Sequence, residues 1–167
     1  MGGDGTDFIV RKENWMSEKK IEVRRLERWD EGLAREMGRL LRDLTPKYDG
    51  GAMSQEWVEM IVESELHDQL LVFDGEELIG MATVSVVLGA YVGRNVYLED
   101  CVVKGDRQGQ GVGGILWEAV VAWGREKGAR RLEFTSTGGD KKTGAVGFYL
   151  KQGAEIRETN FFRFELL

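Results

Sequence analysis

Two carboxylates stand side by side in an otherwise apolar stretch, at Glu99 and Asp100, between Leu98 and Cys101. A few residues later the chain reads Arg107, Gln108, Gly109, Gln110, Gly111, Val112, Gly113, Gly114 and runs into a long helical pattern. The acids offer a base, or a seat for a cation. The glycines offer the complement. The first turn of a helix presents backbone N–H groups without intrahelical partners and carries partial positive charge, and glycine admits close approach and positive φ at little steric cost. A phosphate or pyrophosphate is the natural guest of such a turn.

Two nucleotide motifs compete for the same glycines. Gly109-x-Gly111-x-x-Gly114 satisfies the dinucleotide fingerprint, with Glu133 about twenty residues on, where a ribose ligand would stand. The context opposes it. That fingerprint opens a parallel βαβ unit directly after a buried strand, whereas the mostly polar Lys104–Gln108 intervenes here and the preceding chain reads as an antiparallel hairpin. A phosphate loop of the Walker type fails outright, because no Gly-Lys-Ser or Gly-Lys-Thr occurs.

The elements that must position these residues follow from periodicity. Ile21–Leu26 alternates as a first strand. Asp30 is an N-cap for a helix with Leu33, Met37, Leu40, Leu41 and Leu44 at helical spacing, ended by Pro46. A second helix starts near Ser54, with Trp57, Val58, Ile61 and Val62 on one face and Glu56, Glu59 and Glu63 on the solvated one. Leu70–Phe73, Asp74-Gly75 and Leu78–Leu88 form a hairpin pattern, and Tyr91–Val103 a further antiparallel strand. After the glycine turn, Val112, Ile115, Leu116, Ala119, Val120 and Trp123 make one stripe of a helix that stops at Gly128. Leu132–Ser136 reads as a short strand, Gly144–Leu150 as a helix, and Glu155–Leu166 as one or two terminal strands. The order gives an α+β domain with a mixed sheet. Residues 1–20 have no clear period and read as an N-terminal arm; residues 21–167 read as one domain.

Composition narrows the chemistry. With 167 residues, 42% of them hydrophobic and 31% charged, the chain has enough core to fold without staples. One cysteine, Cys101, and one histidine, His67, leave no disulfide framework and few soft ligands, so no metal site is expected. A net charge of −6 argues against general nucleic-acid binding and favours a cationic small substrate. No apolar run approaches the ~20 residues that span a bilayer, no signal-peptide pattern opens the chain, and a cytoplasmic location is expected.

Read as Gln108-x-x-Gly111-x-Gly113, the turn resembles the acyl-CoA pyrophosphate loop of the GNAT superfamily of N-acetyltransferases. The resemblance covers roughly Leu70–Phe164. It includes the Asp74-Gly75 hairpin, the acidic strand Tyr97-Leu98-Glu99-Asp100, and the segment Ala145-x-x-Phe148-Tyr149-x-x-x-Gly153-Ala154. Within the superfamily, Tyr97–Asp100 and Gly153-Ala154 followed by Phe161-Phe162-x-Phe164 look most like the diamine (spermidine/spermine) acetyltransferase branch.

The resemblance implies a three-layer α/β/α fold: a mainly antiparallel twisted sheet flanked by helices, with a splayed central strand pair that takes acetyl-CoA. It implies direct attack by an amine in a ternary complex. An amine of pKa ~10.4 is neutral in only about one part in two thousand at pH 7, and removing its proton costs about 4.6 kcal/mol, so a base helps. Glu99 is the candidate; strand alternation puts Asp100 on the opposite face, so at most one of the two shares the face of Tyr97, Cys101 and Val103. By resemblance, the backbone of Cys101, Val102 and Val103 pairs with the pantetheine arm, and an N–H near Cys101 polarises the thioester carbonyl. Gln108, Gly109, Gln110, Gly111, Val112, Gly113 and Gly114 hold the pyrophosphate, and Ala145 and Phe148 border the cofactor.

Tyr149 corresponds to the tyrosine that many relatives use as general acid toward the departing thiolate, a transfer uphill by only about 2 kcal/mol. Where relatives commonly carry Asn seven residues before that tyrosine, this chain has Lys142, a residue that could meet a CoA phosphate. The acceptor is read as a small amine or polyamine. Peptide or protein amines and amino sugars compete with it, as does a non-catalytic CoA-binding module; a homodimer is a family-level expectation.

Overall fold

The computed structural model describes residues 11–13, 20–136 and 144–166. They fall into two compact units, 1–134 and 135–167.

Among the described residues the first unit is built on a sheet of six strands in sequential order: β1 (Arg11–Glu13), β2 (Lys20–Arg25), β3 (His67–Asp74), β4 (Glu77–Gly89), β5 (Gly93–Val103) and β6 (Leu132–Phe134). All neighbours are antiparallel except β5 and β6, which are parallel. Strand β1 lies inside the stretch read as an arm, with Lys12 opposite Ile21. Its own sequence has no period, and its strand character comes from the edge of β2.

Helices α1 (Glu31–Leu44) and α2 (Gln55–Val62) begin where the caps require. The Asp30 carboxylate accepts from the Leu33 N–H at 2.8 Å, and the Ser54 hydroxyl from the Trp57 N–H at 3.1 Å. Met37 and Leu40 of α1 and Val58 of α2 join Leu71, Phe73, Leu78, Met81 and Val102 in a core on one sheet face. Val62 departs from the expected buried stripe and is exposed.

Helix α3 (Val112–Glu126) covers the other face with Val112, Leu116, Ala119, Val120 and Trp123, all buried. Gly80 permits the approach: a Cβ there would come within 3.4 Å of Val112 Cγ1 and 3.3 Å of the Val102 carbonyl oxygen. The helix ends in a Schellman motif, the Ala129 N–H reaching the Gly124 carbonyl and the Gly128 N–H that of Arg125, with Gly128 at φ +68°. The three layers expected of the domain are present in this unit.

The β3–β4 hairpin closes where expected but with a different turn. Asp74 pairs with Glu77, so the two central residues are Gly75 and Glu76, and Gly75 takes φ +65° while Glu76 stays at negative φ. A positive φ at the first central position alone is what a type II′ turn requires.

The second unit contains α4 (Gly144–Lys151), which also ends in a Schellman motif: Ala154 N–H to the Tyr149 carbonyl, Gly153 N–H to that of Leu150, and Gly153 at φ +87°. The terminal strands expected over Glu155–Leu166 are absent; that segment has no regular structure, and Phe161, Phe162, Phe164 and Leu166 are exposed. Aromatic and branched residues favour a strand only where a ladder satisfies the backbone, and here no ladder does.

Candidate active site

The sheet is irregular at the acidic pair. Thr83 lies opposite Asp100 and Val84 opposite Leu98, so Glu99 is an extra residue on β5, a β-bulge. One inserted residue reverses the alternation beyond it. Tyr97, opposite Ser85, and Asp100, opposite Thr83, therefore share the face of α1 and α2, while Cys101, opposite Ala82, turns toward α3. This corrects the expectation from strict alternation: Tyr97 does not share a face with Cys101 and Val103, and the two carboxylates are not on opposite faces.

Both acids are held from β4. The Ser85 hydroxyl donates to Glu99 Oε1 at 3.0 Å. Asp100 is half-buried and hydrogen-bonds Thr83, whose hydroxyl donates to Gln69 Oε1 at 2.7 Å. Burial pushes the Asp100 carboxyl above its ordinary 3.8, the neighbouring Glu99 charge adds to the rise, and the Thr83 contact opposes it. Gln69 Nε2 is buried without a hydrogen-bond partner among the described residues. With the amide turned over, Nε2 donates to the Thr83 oxygen and the Thr83 hydroxyl donates to the Asp100 carboxylate, the sense in which that contact lowers its pKa. Glu99, by contrast, is exposed. One carboxylate is presented to solvent and its neighbour is half-buried, so Glu99 is the more accessible of the two as a base.

Downstream, β6 pairs with β5 only over Val96–Leu98 and ends where the bulge begins. Cys101, Val102 and Val103 continue β5 to a 3-10 turn at Gly105–Arg107 and then to the glycines. Gly109 at φ +74° and Gly111 at φ +89° adopt conformations that other residues rarely take, and Gly111 is the N-cap of α3. A Cβ at Gly109, Gly111 or Gly114 would meet nothing within 4 Å, so the turn borders open space with the helix N-terminus behind it. That is a backbone surface suited to a phosphate. The glutamines brace the turn: Gln108 Nε2 donates to the Val103 carbonyl at 3.1 Å and Gln110 Nε2 to that of Asp106 at 2.8 Å.

Tyr149, Phe148 and Ala145 lie in the second unit on α4. Tyr149 is half-buried with its ring edge-on to Phe148, centroids 5.2 Å apart. Lys142 lies outside the described residues. The structure thus gathers Glu99, Asp100, Cys101–Val103 and the glycine turn along one strand–turn–helix path, and places the tyrosine segment in a separate unit.

Sequence reasoning missed Gln69, Thr83 and Ser85. A signal was present, since Thr83 and Ser85 alternate with the apolar Ala82, Val84 and Val86 and are the only polar side chains between Leu78 and Leu88. Buried polar residues at period two mark a polar track under a sheet face. Asn95 and Glu133, joined at 3.4 Å, extend that track across β5 to β6, Glu133 standing opposite Tyr97.

Comparison with known proteins agrees with this geometry. Residues 28–154 match the family described as Acetyltransferase (GNAT) family. The thialysine N-epsilon-acetyltransferase of Sus scrofa is 32% identical over 95 residues, 54% of this chain and 55% of that protein, so the chain spans about half the length of the curated relative it matches. Among solved structures, an aminoglycoside acetyltransferase from an uncultured soil metagenomic sample, in complex with sisomicin, superposes with TM-score 0.73 at 18% identity, covering 87% of this chain and 96% of that one. The aminoglycoside N-acetyltransferase AAC(6')-Iy in complex with CoA gives TM-score 0.72 at 21% identity, covering 90% and 98%. With three quarters of its length matched and this fold beneath the match, the chain belongs to the acetyltransferase (GNAT) family.

Proposed function

We infer that the chain transfers an acetyl group from acetyl-CoA to a primary amine, a small amine or polyamine, by direct attack in a ternary complex. The observation that carries the reading is the Ser85-held Glu99 carboxylate at the β5 bulge, a few residues upstream of an open glycine turn. Acetyl-CoA supplies the activated thioester. Glu99 takes the ammonium proton or orients the water that does, while Asp100 is half-buried beside it. The backbone N–H groups of the glycine turn bind the pyrophosphate, and the β5 backbone at Cys101–Val103 aligns the pantetheine arm. Tyr149 is the acid for the departing thiolate.

The acceptor class is supported by charge and by the relative whose name specifies an ε-amine of thialysine. Glu59 of α2 and Glu63 at its C-terminal cap, with Glu27, Arg28 and Trp29, line a cleft of about 320 Å³; three acids against one arginine leave it net acidic beside an aromatic ring, a surface that suits organic cations. The test is thiol release from acetyl-CoA with a panel of thialysine, polyamines, amino sugars and peptides. Turnover of a small diamine that falls about 10²–10⁴-fold in Glu99→Gln is expected. CoA binding with no turnover of any amine would make the chain a binding module instead.

A further inference from the structure

We propose that Arg107 and Glu77 are positioning residues for the cofactor: an ionic clamp ties the start of the glycine turn to the β3–β4 hairpin and holds the turn in its binding shape. This rests on the reading that the turn takes the CoA pyrophosphate. Arg107 is the cation nearest the glycines in sequence and would ordinarily be assigned to the phosphates. Its guanidinium is committed elsewhere. Nη1 lies 3.2 Å from Asp74 Oδ2 and Nη2 bonds Glu77 Oε2. Lys104 Nζ meets the other Glu77 oxygen at 2.5 Å and stands 3.9 Å from Asp106. Asp74 and Glu77 are the register pair that closes the hairpin turn, so the two carboxylates stand side by side. The Gly105 N–H is also fixed, by Asp43 Oδ2 of α1 at 2.9 Å.

The clamp answers a specific difficulty. A turn with glycines at positive φ has large conformational freedom when free, and ordering it on binding would weaken affinity. Anchors immediately upstream of Gly109 remove that freedom in advance. The hydrogen bond from Lys104, and then that from Arg107, hold Glu77 below its ordinary 4.5, so its half of the clamp is ionised at neutral pH.

Position and charge make opposite forecasts for one substitution. Three acids and two bases meet at this shoulder, so removing the Glu77 charge would strengthen anion binding if electrostatics alone mattered. With Glu77 as half of the clamp, Glu77→Gln weakens CoA binding by calorimetry about three- to tenfold, a magnitude typical of one lost ordering contact. It raises KM for acetyl-CoA in parallel while kcat at saturation and the amine KM stay within about twofold. Asp74→Asn, which leaves the Lys104 contact intact, shifts affinity in the same direction. Equal or tighter CoA binding by both variants overturns the clamp. Absence of CoA binding by the unaltered protein overturns the functional reading instead, and the two failures are therefore distinct.

Discussion

Ser85→Ala removes a single hydroxyl from β4, and its consequence can be worked from the site. Ser85 is buried, at 5% exposure, and its hydroxyl donates to Glu99 Oε1 at 3.0 Å. A hydrogen bond to a charged acceptor contributes about 1.5–3 kcal/mol when dry. Glu99 is exposed, so water replaces part of the lost contact, and about 1–1.5 kcal/mol is a fair share for the loss of aim. If Glu99 acts on the reacting amine, that share enters the barrier as roughly a five- to twelvefold drop in kcat. KM for acetyl-CoA should hold, because the glycine turn is braced by other contacts. The assay is steady-state thiol release for Ser85→Ala, Glu99→Gln and the double variant. In the cycle, Ser85→Ala should cost little once Glu99 is already Gln, because its effect passes through that carboxylate. Full additivity, with Ser85→Ala costing the same factor in both backgrounds, would refute the role given to Ser85 and the reading of Glu99 as the aimed base.

Three further outcomes test the same structure. Thr83→Val leaves the buried Gln69 amide and the Asp100 carboxyl without their shared partner and should cost about 2–4 kcal/mol by chemical denaturation; adding Gln69→Leu should recover at least half, since removing both partners is milder than orphaning one. Asp100→Asn should stabilise the fold increasingly as pH rises from about 3.5 to 7: the raised native pKa means that the unfolded chain ionises first, above 3.8, and wild-type stability falls until the folded carboxyl has ionised too. A denaturation midpoint difference that shrinks over that range contradicts the assignment. Gly111→Ala forces a side chain onto φ +89° in open space, so its cost is torsional, about 1–2 kcal/mol in thermal unfolding, accompanied by a raised KM for acetyl-CoA. An unchanged KM would detach the turn from the cofactor.

By itself the sequence determined the parts whose code is local. Asp30 and Ser54 start helices because a side chain three residues away from the N–H it caps is a matter of one turn. Gly128 ends its helix because only the left-handed region closes a Schellman motif, and Gly109 and Gly111 mark the turn because they too take positive φ. The stripe from Val112 to Trp123 and the three long strands were equally legible, since periodicity records which side of an element is buried. Tertiary structure decided what depends on a partner distant in sequence. The extra residue at Glu99 is defined only by the register of β4, and it reverses which side chains share a face; no property of Tyr97–Val103 alone announces it. Arg107 is diverted from the phosphate turn by Asp74 and Glu77, about thirty residues earlier, a choice made by proximity in space. Residues 155–166 have strand-like composition and no ladder, because a strand exists only through its neighbour. The glycine turn, the acids and the helix are written in the chain; the face that the acids occupy, and what holds the turn, are products of pairing.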